Sequence, residues 1–355
     1  MKKYILLLTM MSAFGQDISN LKVSQQNIKN LFIWNDLLIV EKYEATSDKY
    51  YVCDTVHDKL NKLQINNYKA ILRLTETKSN LCAITIADGS YWIITRNKNQ
   101  KSWTKVRLFS EFNNIKEFEF VANDSLLVII TSKKIFTKRL NSAWQEISMY
   151  SIRDNSWMLD NEMPQHCLLT KNSLYLGFGC GEWGGSLWQI PISMKDEMVL
   201  SKGKEILSGG NIRALKYTSD DVLWIATGLA HMGSRESGIY KYIEGKIQKV
   251  LWSKPSLSLK EESELRAFCL NSTEEPYFVA SECGVFRIIN EKVEEVIDRK
   301  QRFIHSLIDY DIDSVALAIY VDKNNSIFIA QYSLGIFVYK KTKDTYQFRQ
   351  ITFDE

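Results

Sequence analysis

Much of what would mark a familiar activity is missing from this chain. It has only four histidines, His57, His166, His231 and His305, and none stands at a tight metal-ligand spacing such as His-x-x-x-His. A zinc site is therefore not expected. No EF-type calcium loop is present, although a site made of loop carboxylates and carbonyls stays open. There is no Gly-x-Ser-x-Gly elbow, no phosphate loop and no dinucleotide fingerprint behind a strand, so no catalytic residue and no cofactor is assigned. Net charge is also nearly absent: the formal value is +3, falling to +1 without Lys2 and Lys3. That balance gives no support for nucleic acid or an anionic membrane surface as partner. Short basic runs such as Lys133-Lys134 and Lys340-Lys341 read as solvated turns or strand edges. No apolar run after the first dozen residues approaches membrane-spanning length, and no Pro/Ser-rich linker divides the chain.

The start of the sequence has the marks of an export signal. Met1-Lys2-Lys3 is a short basic region, Tyr4 to Met11 is apolar, and Ala13-Phe14-Gly15 places small residues where a signal peptidase reads. Cleavage before Gln16 is expected, making residues 1–15 the signal and 16–355 the mature domain. The first cysteine is Cys53, so no new N-terminal cysteine is available for a lipid anchor. A soluble periplasmic or secreted protein without a membrane anchor, and a monomer, is expected.

The 45% apolar and 12% aromatic content supplies a large core, and a repeating pattern organises it. Apolar runs recur at Leu37–Val40, Tyr91–Thr95, Leu126–Ile130, Leu174–Phe178, Val222–Ala226, Tyr277–Ala280 and Ile327–Ala330. Each marks a unit averaging about 49 residues, within the range of closed repeat arrays. A strand-like segment precedes the run, as in Ile212–Tyr217 and Leu265–Leu270. A Gly-aliphatic-aromatic strand follows it, as in Gly238-Ile-Tyr240, Gly284-Val-Phe286 and Gly335-Ile-Phe337. A more polar segment closes the unit, as in Lys246–Trp252 and Tyr346–Phe353. A strand covered on both faces loses polar alternation, which is how the second strand of each unit reads. The glycine opening the third strand suits a tight turn with positive φ. The expected fold is all-β: a seven-bladed β-propeller of four-stranded antiparallel blades. A sandwich supplies many strands but requires no such period. An α-solenoid would need the 3.6-residue periodicity found only weakly, around Asp58–Leu72.

Asp221-Val-Leu-Trp-Ile-Ala-Thr-Gly228 followed by Gly238-Ile-Tyr-Lys-Tyr242 resembles the blades of two-component-regulator-type and related WD40 (YVTN)-like propellers. The resemblance covers most of the mature chain as a pattern and is closest in the fifth unit. It implies a fold and no activity, because propellers host scaffolds, receptors and enzymes alike. The sialidase-type Asp-box and the Gly-His/Trp-Asp signatures of true WD40 repeats are absent, and no kinase or DNA-binding region follows the blades.

Two connections between second and third strands read as enlarged: Gly179-Cys-Gly-Glu-Trp-Gly-Gly185 and Gly228–Gly238. Belonging to consecutive units, they should open side by side on one face. Glu182, Trp183, Gly184, His231, Arg235 and Glu236 are the candidate ligand-binding residues. Trp183 offers a stacking surface, the charged groups orienting hydrogen bonds, and the glycines close backbone approach. The plain alternative is a tight loop whose Trp183 covers the core edge, with His231 an ordinary surface histidine. Glu182 and Glu236 could also form the carboxylate pair of a glycosidase.

The six cysteines suggest disulfides in an exported chain. Cys167 with Cys180, and Cys269 with Cys283, could each bridge one hairpin, leaving Cys53 with Cys82 to link the first two units. The alternative is that several are small buried residues. The function expected is a non-enzymatic binding module for a protein or glycan partner. A carbohydrate-active hydrolase or lyase, and a periplasmic immunity or inhibitor protein against a toxin, remain as the other two classes.

Overall fold

The computed structural model describes residues 28–34, 37–42, 49–54, 59–63, 65, 70–97, 99–100, 102–115, 117–139, 142–149, 162–179, 184–193, 199–231, 234–252, 265–280, 284–297, 316–331, 335–342 and 345–351. The expected signal, residues 1–15, lies outside them.

These residues form seven antiparallel sheets, each built from consecutive strands of the chain, arranged as a seven-bladed β-propeller. The blades span residues 28–62, 70–107, 119–148, 166–208, 212–252, 265–297 and 316–351. Blade 4 carries an extra two-residue strand, Val199–Leu200, on the far end of its third strand. From blade 2 round to blade 7 the first strands of neighbouring blades touch, and the first strand of blade 7 touches that of blade 1. The first strand of each blade is therefore the inner one.

The core is distributed among the gaps between blades. Seven separate hydrophobic clusters occur, one for each pair of adjacent blades. The second strand explains this arrangement. In blade 3, Leu126, Val128 and Ile130 face blade 4, while Leu127 and Ile129 face blade 2. All five are buried, so no polar alternation survives.

Six of the seven apolar runs are second strands. Blade 2 differs: Tyr91–Thr95 lies in its third strand, Ser90–Asn97, and the second strand is Asn80–Ala87. Asp88 and Gly89 have φ of 50° and 68°, the geometry of a two-residue hairpin turn between these strands.

A hydrogen-bonded belt runs along the turns between first and second strands. Six of them are capped by one polar side chain: Thr77, Asn123, Thr170, Thr218, Asn271 and Asp322. Each accepts from a backbone N–H at the start of the next strand. These caps hold the turn without a regular ladder. Neighbouring turns are then tied together. Asp124 of blade 3 accepts from the Thr77 hydroxyl and from both N–H and hydroxyl of Ser79 in blade 2. The amide of Asn123 donates to the Thr170 carbonyl (2.9 Å), and Ser219 donates twice to Glu274.

Burial alone would raise the Asp124 carboxyl, but the bonds from Thr77 and Ser79, with nearby Lys78, hold it below its ordinary value. A depressed carboxyl contributes stability above its unfolded pKa, about 3.9, and loses it as pH falls through the lower folded value. Asp124→Asn should therefore lower the melting temperature at neutral pH, and the gap to the wild type should close in strong acid. The carboxylate is largely exposed, so the effect should stay below about 1 kcal/mol.

Candidate functional site

The two predicted loops emerge at the end of the ring opposite this belt, because both join a second strand to a third. In blade 5 the expected loop is mostly strand. The second strand, Leu223–His231, and the third, Ser234–Ile243, continue pairing through Leu229↔Glu236, Ala230↔Arg235 and His231↔Ser234. Only residues 232 and 233 separate them. In blades 6 and 7 the last register pairs are Leu265↔Ala280 and Ala316↔Gln331, so the second strand ends opposite the first residue of the inner strand. In blade 5, Ile212 pairs with Thr227 and the second strand runs four residues further. At about 3.3 Å per residue the hairpin stands roughly 13 Å above the start of the inner strand. His231, Arg235 and Glu236 occupy register positions on this raised hairpin.

In blade 4 the second strand ends at Gly179 and the third begins at Gly185. Glu182 and Trp183 lie outside the described residues. Gly184 is buried with φ +84°, and a Cβ there would stand 2.7 Å from the Gly209 carbonyl oxygen. A close-packed glycine seam underlies both connections. The Gly179 carbonyl accepts from the Gln165 amide at 2.9 Å, and Gly209 N–H donates to Gly185 O at 2.9 Å. Gly228 N–H donates to Asn211 O at 3.0 Å, and a Cβ on Gly228 would stand 2.8 Å from Leu265 O of blade 6. The Leu265 N–H in turn donates to Ser237 Oγ at 2.7 Å, pinning the hairpin base to blade 6. Sequence reading missed Gly209, Gly210 and Asn211, whose only signal is the run Ser208-Gly-Gly-Asn ahead of an inner strand.

The positive-φ reading of the third-strand glycine needs correction. It holds at Gly335, φ +87°. Gly238 and Gly284 are instead sites of close approach. A Cβ on Gly238 would meet the Tyr240 ring at 2.6 Å, and one on Gly284 the Ile297 carbonyl oxygen at 1.8 Å.

Beneath this face the axis of the ring encloses a cavity of about 270 Å³. Inner strands of all seven blades line it. Within its own sheet an inner strand pairs on one side only, so its other edge faces the axis. Arg73 and Glu119, from blades 2 and 3, approach to 3.8 Å, and Arg73 also donates to Phe118 O at 3.1 Å. Glu41 of blade 1 is buried and accepts from the Tyr50 hydroxyl at 3.2 Å; that hydroxyl accepts from Leu74 N–H of blade 2 at 3.0 Å. Arg213, Lys216 and His166 line the side formed by blades 4 and 5. Five inner strands carry a register bulge near their start. Arg213 and Arg266 occupy it in blades 5 and 6, an arrangement that re-aims a side chain.

The cysteine pairing also needs correction. The four described cysteines, Cys53, Cys82, Cys167 and Cys269, form no disulfide. Cys53 packs in the gap between blades 7 and 1, and Cys82 in the gap between blades 2 and 3. The whole interface of blades 1 and 2 separates them, far beyond disulfide reach. Cys180 and Cys283, the other proposed partners, lie outside the described residues. Cys269 sits opposite Tyr277, four residues along from the Leu265↔Ala280 pair where the chain leads toward Cys283. Burial pushes the Cys82 and Cys269 thiols up to about 12; Asp124 adds to the rise at Cys82, while Lys216 and the Val321 amide only partly offset it at Cys269. Because the thiolate is the nucleophile, neither should react with a maleimide in the native protein at mildly alkaline pH. Both should be labelled after denaturation without reductant, as peptide mapping will show.

No family model and no curated protein matches this sequence. Solved structures do match, and they share its fold. The extracellular domain of a hybrid two-component system from B. thetaiotaomicron superposes with a TM-score of 0.53 at 15% identity, over 90% of this chain and 39% of that one. This chain thus spans about two fifths of that protein's length. YCF48 bound to D1 peptide gives 0.53 at 9% identity, over 91% and 94%. The β-propeller domain of the Trilobed protease from Pyrococcus furiosus, described as having an open velcro topology, gives 0.50 at 8%, over 93% and 97%.

Proposed function

We propose that this chain is an exported, non-enzymatic binding module. Its partner is a protein or glycan, met at the face where the second-to-third-strand connections of blades 4 and 5 emerge. The observation that carries this reading is the raised hairpin of blade 5. Its strands pair four residues past the inner strand, and its base is pinned to blade 6 through Ser237 and Leu265. A projecting finger whose two strands are already paired has little backbone left to order on binding. Arg235 and Glu236 hold consecutive register positions on it, paired with Ala230 and Leu229. Glu182 and Trp183 of the neighbouring connection are assigned to the same surface. Propellers superposing on this chain include extracellular domains and one solved with a peptide, which favours protein recognition.

The test is to shorten the hairpin by replacing residues 229–236 with a two-residue Asn-Gly turn, and separately to make Glu182→Ala with Trp183→Ala. Cross-linked capture from an envelope extract and binding to a glycan array are then compared with the wild type. One partner retained by the wild type and lost by both variants supports the reading. Capture unchanged in both, with the fold intact by circular dichroism, moves the working surface elsewhere.

A further inference from the structure

The axial cavity has a charge layout that surface recognition by the hairpin does not use, and the geometry points to a small-molecule site there. Its ligand is an organic anion, a carboxylate or phosphate ester with an apolar body. The inference goes beyond partner binding and stands without it.

Around the axis the lining falls into sectors. Blades 1 to 3 supply Glu41, Arg73 and Glu119. Arg73 and Glu119 are 3.8 Å apart and largely neutralise one another, and Glu41 is held by the Tyr50 hydroxyl. Blades 4 and 5 supply Arg213 and Lys216 with His166 beside them, and among the described residues no carboxylate from these blades lines the cavity. Among the described residues, blades 6 and 7 contribute Ala267, Phe268, Ala318 and Ile319, all apolar. Among the described residues, counting Arg and Lys against Glu, the lining carries three cations and two anions, with the excess positive charge toward blade 5.

Two cations from one strand, inside a cleft with low-dielectric walls, focus a positive field that surface screening does not remove. The Arg213 side chain runs past Gly228 of the second strand, coming within 3.3 Å of where a Cβ there would stand. A guanidinium and an ammonium on one wall suit the oxygens of a carboxylate or phosphate. The adjoining apolar sector of blades 6 and 7 suits a hydrocarbon body. At about 30 Å³ per water, 270 Å³ holds roughly nine waters, so the ligand should be small, on the order of a dozen heavy atoms.

The experiment uses phenylacetate and phenyl phosphate as anionic probes, with benzylamine as the cationic counterpart and inorganic phosphate as a head group alone. Each is titrated calorimetrically into the wild type, Lys216→Gln and Lys216→Arg, with His166→Gln as a second variant should Lys216→Gln fail to fold. The expected result is saturable binding of one or both aromatic anions, weakened about tenfold or more in Lys216→Gln and restored in Lys216→Arg. Stronger binding of phenylacetate than of phenyl phosphate identifies a carboxylate site, and the reverse a phosphate-ester site. Three outcomes overturn the proposal: neither aromatic anion binds at millimolar concentration, benzylamine binds as well as they do, or the glutamine variants bind as the wild type does. Inorganic phosphate matching phenyl phosphate would overturn the apolar half of the assignment.

Discussion

Truncating Phe328 to alanine should destabilise the protein by about 3–5 kcal/mol and should loosen the ring at one gap. Phe328 is 4% exposed and packs in the cluster between blades 7 and 1, where Ala330, Ile336 and Val338 meet Leu38 and Val40. Tyr320 flanks it with ring centroids 6.0 Å apart. What sets this gap apart is topology. Among the described residues every blade is made of consecutive strands, so blade 7 (residues 316–351) and blade 1 (residues 28–62) share no strand. All other neighbours are also joined by the chain, whereas among the described residues no strand or connection joins these two. The matched control is Phe278→Ala, which removes a 1% exposed ring, stacked on Phe286 at 5.2 Å, in the gap between blades 5 and 6. Both variants should lose similar stability. Only Phe328→Ala should raise amide hydrogen exchange selectively in the inner strands Ile28–Trp34 and Ala316–Val321, since local opening follows the weakest cooperative boundary. Equal, global increases in the two variants would mean the gap is no weaker than the rest.

Legibility in the sequence followed burial. Second strands such as Leu126–Ile130 were visible because covering both faces removes every polar residue, and no other structural role does this so completely. Blade 2 escaped because its second strand, Asn80–Ala87, is diluted by Cys82, Ala83 and Thr85, all of them buried. Tyr91–Thr95 next to it is as apolar and follows an obvious turn. The belt escaped for a different reason. Thr77, Asn123, Thr170, Thr218, Asn271 and Asp322 do one job with three residue types, so the repeat exists in hydrogen-bonding capacity and not in residue identity. The hairpin of blade 5 reads as a loop because glycine and polar residues fill it, although its backbone continues the strand pairing to His231↔Ser234. The axial cavity could not be read at all. Arg213 and Lys216 look like the wet side of an ordinary strand until the ring closes and turns that side inward.

The glycines divide in the same way, and substituting them separates two physical causes that the sequence shows identically. Gly284→Ala should be among the most damaging single changes in blade 6. Its φ is not positive, but a Cβ would stand 1.8 Å from the Ile297 carbonyl oxygen and 3.0 Å from the carbon of the same group. Backbone cannot rotate away as a side chain does, so the pairing of Val285 with Ile297 must separate. Overpacking plus lost ladder bonds should cost on the order of 4 kcal/mol. At about 2–3 °C per kcal/mol for a domain of this size, the melting temperature should fall by roughly 10 °C. Gly245→Ala should cost far less. Gly245 has φ +80° with nothing within 4 Å of the added atom, so only the left-handed conformation opposes alanine, worth about 1–2 kcal/mol. Asparagine at 245 should recover part of that loss, because its side chain tolerates this region of backbone space, whereas at 284 it should do no better than alanine. Thermal melts of the four variants decide the matter. If asparagine rescues position 284, or Gly245→Ala proves the costlier change, close approach to Ile297 is not what keeps glycine there.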